Sequence, residues 1–208
     1  KEQLEFLIDE YGVKLIVNND YAIKNNMHSL KLALEHVSNS YIVPCDVWCE
    51  MNPFRHKELY SWYMVSDSID SVSDVRVNRK AELVFVPEMS YGNKMIGISY
   101  LVQKPAEKVK ENIKQLCMKK KCESEFWESA LYEKDRMFVY ARVVTSEEAI
   151  EVNTYEQLRE LDKHSRNLDT DVMQIISEAL HTSKDNIVDI KVLKKGMTNR
   201  SFLFTCKG

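Results

Sequence analysis

The sequence lacks the cysteine and histidine patterns that staple small domains or hold metals. Its five cysteines are an odd number and include no C-x-x-C pair, so neither a disulfide framework nor a structural zinc site is expected. Its five histidines stand singly, without an H-E-x-x-H pair, which argues against a histidine metal site. Unpaired cysteines favour a reducing compartment, and we therefore expect a cytoplasmic protein.

Charge of one sign and long apolar runs are lacking as well. The net charge of −3 gives no electrostatic basis for binding nucleic acid or an anionic membrane. No apolar run approaches the roughly 18 residues of a membrane span. The 208 residues, 44% of them hydrophobic and 29% charged, suffice for one globular domain plus a piece of another.

Patterns typical of helices and strands alternate along the chain. Helical spacing over residues 2–11 leads through Gly12 to an apolar run at 13–17, and a second helical pattern at 29–37 leads to the run 41–48. This alternation predicts an α/β fold with a mixed, mostly parallel sheet and helices on both faces. Further strands are predicted at 61–65, 75–77, 81–87, 95–102, 137–144 and 149–152, and helices at 106–120 and 125–132. The strands 81–87 and 95–102 are expected to form an antiparallel pair around a turn that contains Gly92.

Asp46 follows the apolar run that begins at Tyr41. Such a run fits a strand buried on both faces, which would place Asp46 at a carboxyl end, where open α/β sheets bind ligands. The alternative is an ordinary turn or N-cap aspartate. Glu151 ends a second predicted strand, and two carboxylates at one sheet edge could bind Mg²⁺ together with phosphate oxygens. That arrangement suits nucleotidyl transfer.

Six short motifs occur in an order that carries a family resemblance. They are Gly12-Val13-Lys14 before Asn18, Asn25-x-x-His28-Ser29-Leu30, Pro44-Cys45-Asp46, Gly97-Ile98-Ser99-Tyr100 with Pro105-Ala106-Glu107-Lys108, Phe126-Trp127-Glu128, and Glu151-Val152-Asn153-Thr154-x-x-x-Leu158. With them, residues 1–163 resemble the sugar-nucleotidyltransferase superfamily and, within it, the bacterial CTP:phosphocholine cytidylyltransferases. The resemblance implies a Rossmann-like fold and an enzyme that transfers CMP from CTP to phosphocholine, giving CDP-choline and pyrophosphate.

The resemblance also implies roles for individual residues. Asp46 would be catalytic and would hold Mg²⁺ with Glu151 and Asn153, although Asn153 replaces an acid of the family pattern and offers no charge. Aromatic faces attract a quaternary ammonium, so the substrate-binding candidates are Phe126, Trp127 and Trp62, with Glu128 as a nearby anion and with Tyr63 and Trp48 as further candidates. The alternative for each aromatic residue is a place in the core.

Residues 194–201 resemble the opening loop of choline kinases and aminoglycoside phosphotransferases. That resemblance implies that Gly196, Thr198 and Asn199 bind the phosphates of ATP, since glycine lets a backbone approach a phosphate closely. We therefore predict a nucleotidyltransferase domain at 1–163, a linker at 164–170, and the first helix and strands of a kinase-like lobe at 171–208. Choline and ATP would be substrates of the kinase part.

Several departures from the family pattern shape the remaining expectations. The glycine-rich phosphate loop of the family is not found in the sequence, nor is the expected pocket aromatic near residues 74–76. Both ends look cut, so we expect an internal fragment that lacks the first βα portion of its fold and is inactive by itself. Two alternatives remain open, namely another phosphorylated alcohol or sugar phosphate as acceptor, or a degenerate module that regulates the kinase. The sequence does not predict the oligomeric state.

Overall fold

A computed structural model describes residues 4–87, 91–119, 123–153, 157–158, 161, 171–193 and 201–207. The chain divides into two compact units, Lys1–Ile150 and Glu151–Gly208. The predicted linker at 164–170 lies outside the described residues, so the predicted domain boundary stays a prediction.

Helices and strands alternate along the chain as the sequence patterns predict. The helices are α1 (Phe6–Tyr11), α2 (Asn26–Leu32), α3 (Gln103–Met118) and α4 (Asp171–Leu180), with 3-10 turns at Leu34–His36, Trp127–Leu131 and Lys184–Asn186. The strands are β1 (Ser40–Ile42), β2 (Val47–Cys49), β3 (Trp62–Asp70), β4 (Val75–Val77), β5 (Glu82–Phe85), β6 (Gly92–Leu101), β7 (Tyr132–Glu133), β8 (Arg136–Val144), β9 (Ala149–Glu151), β10 (Ile187–Leu193) and β11 (Ser201–Cys206).

Glycine and proline set helix limits as their chemistry requires. Gly12 ends α1 in the left-handed conformation, with φ of 63°, and its N–H bonds to the carbonyls of Ile8 and Leu7. Pro105 lies in the first turn of α3, where its missing N–H removes no helical hydrogen bond.

Cys117, near the end of α3, is disulfide-bonded, which the cysteine pattern did not lead us to expect. Among the described helices, none is both long and apolar enough to cross a membrane.

A mixed sheet organises the first unit. Its described strands run in the order β1-β6-β3-β8-β5-β4, and β7 pairs with β8. The α/β class and the mixed sheet are confirmed. The proportion of parallel to antiparallel pairs among the described strands of this sheet differs from the expectation. Strands β3 and β8 run parallel, whereas the other pairs are antiparallel. The long strand β6 causes much of this difference, since it runs antiparallel to both of its neighbours, β1 and β3.

Two predictions about the first strands are wrong. Residues 13–17 form no strand, and Val13 and Val17 are exposed. The run that precedes Asp46 is not buried on both faces, because β1 is half-buried and pairs with β6 alone among the described strands. Apolar composition shows that a segment could be covered, but it does not show how many neighbours will cover it.

The predicted hairpin of 81–87 with 95–102 is also wrong. The hairpin partner of β5 is β4, across a turn in which the side chain of Asn78 accepts the N–H groups of Lys80 and Glu82. Gly92 belongs to strand β6 and makes no turn. A side chain there would place its Cβ 2.4 Å from the carbonyl oxygen of Val75, so the glycine permits a close backbone approach.

The two faces of the sheet are covered differently. On one face, Tyr63 and Val65 pack with Met27 of α2 and with the buried side of α3. On the other face, Trp62 and Met64 join a second cluster, since successive strand residues point to opposite faces. Within the residues that the structure describes, strand and loop residues rather than helices pack against this second cluster. The residues that pack against it are Tyr41, Val47, Cys49, Tyr100 and Val144.

The second unit contains the predicted helix and strands. Helix α4 spans the predicted residues, and β10 and β11 pair antiparallel, with Val192 opposite Phe202. Met173 and Ile187 are buried in this unit. The predicted ATP-binding residues Gly196, Thr198 and Asn199 lie outside the described residues.

Candidate active site

Asp46 lies on a long connection between β1 and β3, residues 43–61, which we call the strap. The strap starts against the sheet, because Pro44 packs onto Gly97 of β6. Gly97 has a φ of +91°, and a Cβ there would lie 2.6 Å from Cγ of Pro44. Only glycine suits both the backbone conformation and the contact. The start of the strap is therefore fixed two residues before Asp46.

The carboxylate of Asp46 is available for a ligand. Asp46 is exposed and forms no hydrogen bond or ion pair with the residues that the structure describes. Within the same residues there is no group of three or more His, Cys, Asp or Glu that could hold a metal. Magnesium in nucleotide sites needs only one or two carboxylates besides phosphate oxygens and water, so a free Asp46 fits such an ion.

The two other predicted metal ligands belong to the second unit. Glu151 ends β9 and is half-buried. Asn153 is exposed, and its backbone N–H donates to Oε1 of Gln157 at 2.7 Å. Asp46 belongs to the first unit, so a shared magnesium site of these three residues stays a prediction.

A network of polar contacts fastens the strap to the sheet. Nη1 of Arg142, on β8, donates to the carbonyl of Pro53 at 2.8 Å and lies 3.7 Å from Oε1 of Glu58. The hydroxyl of Tyr41 donates to the same Glu58 oxygen at 2.9 Å and accepts the N–H of Arg55. No motif in the sequence predicted this network. A charged residue inside the apolar strand 137–144 was the one signal that could have pointed to it.

Aromatic rings complete this anchor. The ring centroid of Tyr41 lies 4.9 Å from that of Phe54, 4.8 Å from Tyr100 and 6.0 Å from Trp62. The guanidinium of Arg142 stands over the Trp62 ring, 4.5 Å from its centroid. The predicted substrate residue Trp62 is thus 2% exposed and already has a cation on its face. Trp48, on β2, is 39% exposed.

Glu128 is a buried acid on the helix-covered face. Its Oε1 accepts a hydrogen bond from the hydroxyl of Tyr63 at 3.0 Å, while its buried Oε2 has no partner among the described residues. Burial raises the pKa of the Glu128 carboxyl above its usual range, against the opposing effects of hydrogen bonds from its own backbone N–H, from the Tyr63 hydroxyl and from the Asn26 side chain. A buried carboxylate oxygen without a donor is costly and calls for a ligand that completes it.

The start of α2 holds the Glu128 segment in place. Oδ1 of Asn26 accepts the N–H of Trp127 at 2.8 Å, and Nδ2 of Asn25 donates to the carbonyl of Ser124 at 3.1 Å. Asn25 also caps α2 through the N–H of Asn26. Two of the predicted motifs, Asn25 to Leu30 and Phe126 to Glu128, are therefore brought together.

The predicted aromatic cage is not assembled as a whole. Trp127 is 4% exposed and packs in the core beside Tyr63, with ring centroids 6.2 Å apart. Phe126 is 62% exposed. Trp62 lies on the opposite face of the sheet from Trp127, because it alternates with Tyr63 along β3. Tyr63, rather than Trp62, shares the Glu128 environment.

A polar cavity of about 640 Å³ lies elsewhere in the first unit. It is lined by Asn78, Glu82, Val84, Glu133, Lys134, Asp135 and Arg136. None of these is a predicted site residue, so size alone does not mark the candidate site.

Comparison with known proteins supports the fold and one functional class. The sequence matches no protein-family model. It is 25% identical over 181 residues to the choline-phosphate cytidylyltransferase of Streptococcus pneumoniae, a match that covers 80% of this chain and 75% of the relative. The solved CTP:phosphocholine cytidylyltransferase from Streptococcus pneumoniae matches with a TM-score of 0.67 and 24% identity, covering 78% of this chain and 73% of that one. The chain thus has a Rossmann-like nucleotidyltransferase fold and is homologous to an enzyme of that class.

Proposed function

We propose that this protein transfers a cytidylyl group from CTP to phosphocholine, with CDP-choline and pyrophosphate as products. The observation that carries the proposal is the buried Oε2 of Glu128, unpartnered among the described residues and next to Trp127. A quaternary ammonium has no N–H to donate, so a site recognises it by a negative charge and aromatic faces. The similarity to a choline-phosphate cytidylyltransferase supports this substrate over other cations.

The chemistry requires position and charge more than covalent participation by the protein. A phosphate oxygen of phosphocholine attacks the α-phosphorus of CTP in line as the bond to pyrophosphate breaks. Mg²⁺ would neutralise charge on the triphosphate when bound, held by Asp46, Glu151 and Asn153. Asp46 contributes an exposed carboxylate at a fixed start of the strap. Glu128 would orient the acceptor by its ammonium end.

Replacement of Asp46 by alanine tests the site. We expect Asp46→Ala to lower kcat/KM for CDP-choline formation by more than about a hundredfold, because the metal loses a charged ligand. The measurement is pyrophosphate release by the full-length protein with CTP, phosphocholine and Mg²⁺. Asp9→Ala, which removes an exposed acid on α1, is the matched control and should keep full activity. Near-normal turnover by Asp46→Ala would refute the assignment.

A different acceptor is the second candidate. The structure separates Trp62 from Trp127, and Phe126 is exposed, so fewer aromatic faces are available for choline than the sequence suggested. A panel of CTP and UTP with phosphocholine, other phosphorylated alcohols and sugar phosphates distinguishes the acceptors by pyrophosphate release. A reaction with sugar phosphates alone would replace the choline proposal.

A kinase-like role of residues 171–208 is proposed on narrower grounds. The antiparallel pair β10 and β11 flanks residues 194–200, which agrees with the strand-loop-strand of the resemblance. Gly196, Thr198 and Asn199 would then bind phosphates of ATP. In the alternative, this part and a degenerate nucleotidyltransferase form a regulatory pair, and an inactive full-length protein that still binds ATP would favour that alternative.

A further inference from the structure

Arg142 is the point where the strap is fastened to the middle of the sheet. It lies on β8 opposite Met64 of the neighbouring parallel strand β3. From there its guanidinium contacts the strap at two places, the carbonyl of Pro53 at 2.8 Å and the carboxylate of Glu58 at 3.7 Å. Its planar fork also stacks on Trp62, a combination that lysine cannot reproduce.

Glu58 makes this contact more than a surface ion pair. Its side chain is only 9% exposed, and the Arg142 side chain is 26% exposed. A carboxylate this deeply covered needs its cation, because removing one partner of a buried pair leaves an uncompensated charge. The hydroxyl of Tyr41 also bonds to Glu58, so the anchor joins β1, β8 and the strap.

The anchor lies downstream of the candidate metal ligand on the same segment. Upstream, Pro44 is seated against Gly97. Downstream, strand β2 pairs with β9, Glu50 donates its N–H to the carbonyl of Glu148, and Arg142 holds Pro53 and Glu58. Asp46 therefore lies between attached parts of the strap, while its own side chain forms no bond to the rest of the described structure.

We propose that Arg142 is a positioning residue for nucleotidyl transfer, which fixes the strap on the sheet and thereby keeps Asp46 where the metal–nucleotide complex binds. This role rests on the proposed function. Arg142 itself does not touch the substrates or the metal. Its loss releases the middle of the strap, and Asp46 then samples positions that do not bind the metal.

A second cation, on a helix that packs against the same sheet, provides a matched control. Lys108 of α3 stands over the ring of Phe138, another β8 residue, 4.6 Å from its centroid. It also pairs with Glu133 at 2.7 Å. Lys108 thus has a ring and a carboxylate, as Arg142 has, but neither contact involves the strap.

Amide hydrogen exchange on the metal-free full-length protein tests the anchor. We expect Arg142→Met to speed exchange across residues 45–50 at least about tenfold relative to wild type, with β6 and β8 still protected. Lys108→Met should leave exchange in the strap unchanged. Equal strap exchange in wild type and Arg142→Met overturns the proposal.

Two further variants keep the test decisive if Arg142→Met loosens the whole domain. Arg142→Lys retains the charge but loses the planar fork, and should speed exchange in the strap alone. If the strap amides of Arg142→Lys exchange as slowly as those of wild type, the planar guanidinium is not needed to hold the strap. The double variant Arg142→Met with Glu58→Gln removes the uncompensated charge, so it should recover part of the lost protection.

The kinetic readout separates positioning from general damage. Arg142→Met should raise the Mg²⁺ concentration that gives half the maximal rate about tenfold, and its kcat at saturating Mg²⁺ should fall by a smaller factor. For the Mg²⁺ requirement, Arg142→Lys should lie between Arg142→Met and wild type. A fall in kcat without any change in Mg²⁺ dependence contradicts positioning through Asp46. A wild-type protein that releases no pyrophosphate refutes the proposed function instead, while the exchange result still decides whether Arg142 anchors the strap.

Discussion

Glu58 and Glu128 are two covered carboxylates on opposite sides of one sheet, and their partners differ. Each accepts a hydrogen bond from a tyrosine hydroxyl, from Tyr41 at 2.9 Å for Glu58 and from Tyr63 at 3.0 Å for Glu128. Glu58 also has the guanidinium of Arg142 at 3.7 Å. Glu128 has no described cation, and its second oxygen is buried without a partner.

This difference shows how a fold can use the same side chain for structure and for ligand binding. A carboxylate that is matched internally stabilises the segment that bears it and has no need of a ligand. A carboxylate that is left unmatched costs stability in the free protein and regains it when a cation binds. The comparison therefore assigns Glu58 to the strap anchor and supports Glu128 as the ammonium partner.

The largest expected effect that tests the comparison is on acceptor binding. Glu128→Gln keeps the shape of the side chain but removes its charge, so KM for phosphocholine should rise by about 10- to 100-fold, as for the loss of a charged interaction. Initial rates over a range of phosphocholine concentrations measure it. Glu58→Gln is the matched control and should change protein stability more than this KM. A rise in the acceptor KM of Glu58→Gln alone would reverse the assignments.

An intermediate effect is expected on the pH dependence of stability. Burial raises the pKa of Glu128 above its ordinary value of 4.5, so the folded state keeps a proton that the unfolded state releases. The stability that this proton provides is full below pH 4.5 and is lost as pH rises through the folded-state pKa. Between acid and neutral pH the wild-type protein should therefore lose about 1 to 3 kcal/mol of its free energy of unfolding through this proton. Glu128→Gln has no such proton and should not show this loss.

Urea unfolding of wild type and Glu128→Gln across that pH range measures the difference. A difference that does not change with pH would mean that Glu128 already has a compensating partner in the folded protein.

The smallest expected effect comes from the two tyrosine hydroxyls. Tyr41→Phe removes a donor to Glu58 and an acceptor for the N–H of Arg55, and should lower the free energy of unfolding by about 1 to 2 kcal/mol. Tyr63→Phe removes one hydrogen bond to Glu128, and should cost about 1 kcal/mol while raising the pKa of Glu128 further. Chemical denaturation measures both variants, and equal losses would show that the two carboxylates are held alike.

Local patterns predicted many elements of the fold. The Gly12 helix end, the strand at Val75–Val77, and the helix and strand pair of the second unit all agree with the structure. The failures concern pairing, since no local signal shows that β5 lies beside β8 while β6 lies between β1 and β3. Of the candidate site, the motif Phe126-Trp127-Glu128 and the candidate Tyr63 were found, whereas Arg142 and Glu58 were given no role.

The sequence by itself determined the residue types of this protein's chemistry and the segments that carry them, because capping, turn formation and periodicity are local. Asp46 after an apolar run and an acid after two aromatic residues can be read from the chain alone. Tertiary structure decided which side of the sheet each side chain serves. Along β3, the residues Trp62 to Val65 are all buried, so apolar character does not separate the two faces. The two faces differ in the residues that cover them. Arg142 therefore lies over Trp62 on one face, and Glu128 accepts the Tyr63 hydrogen bond on the other.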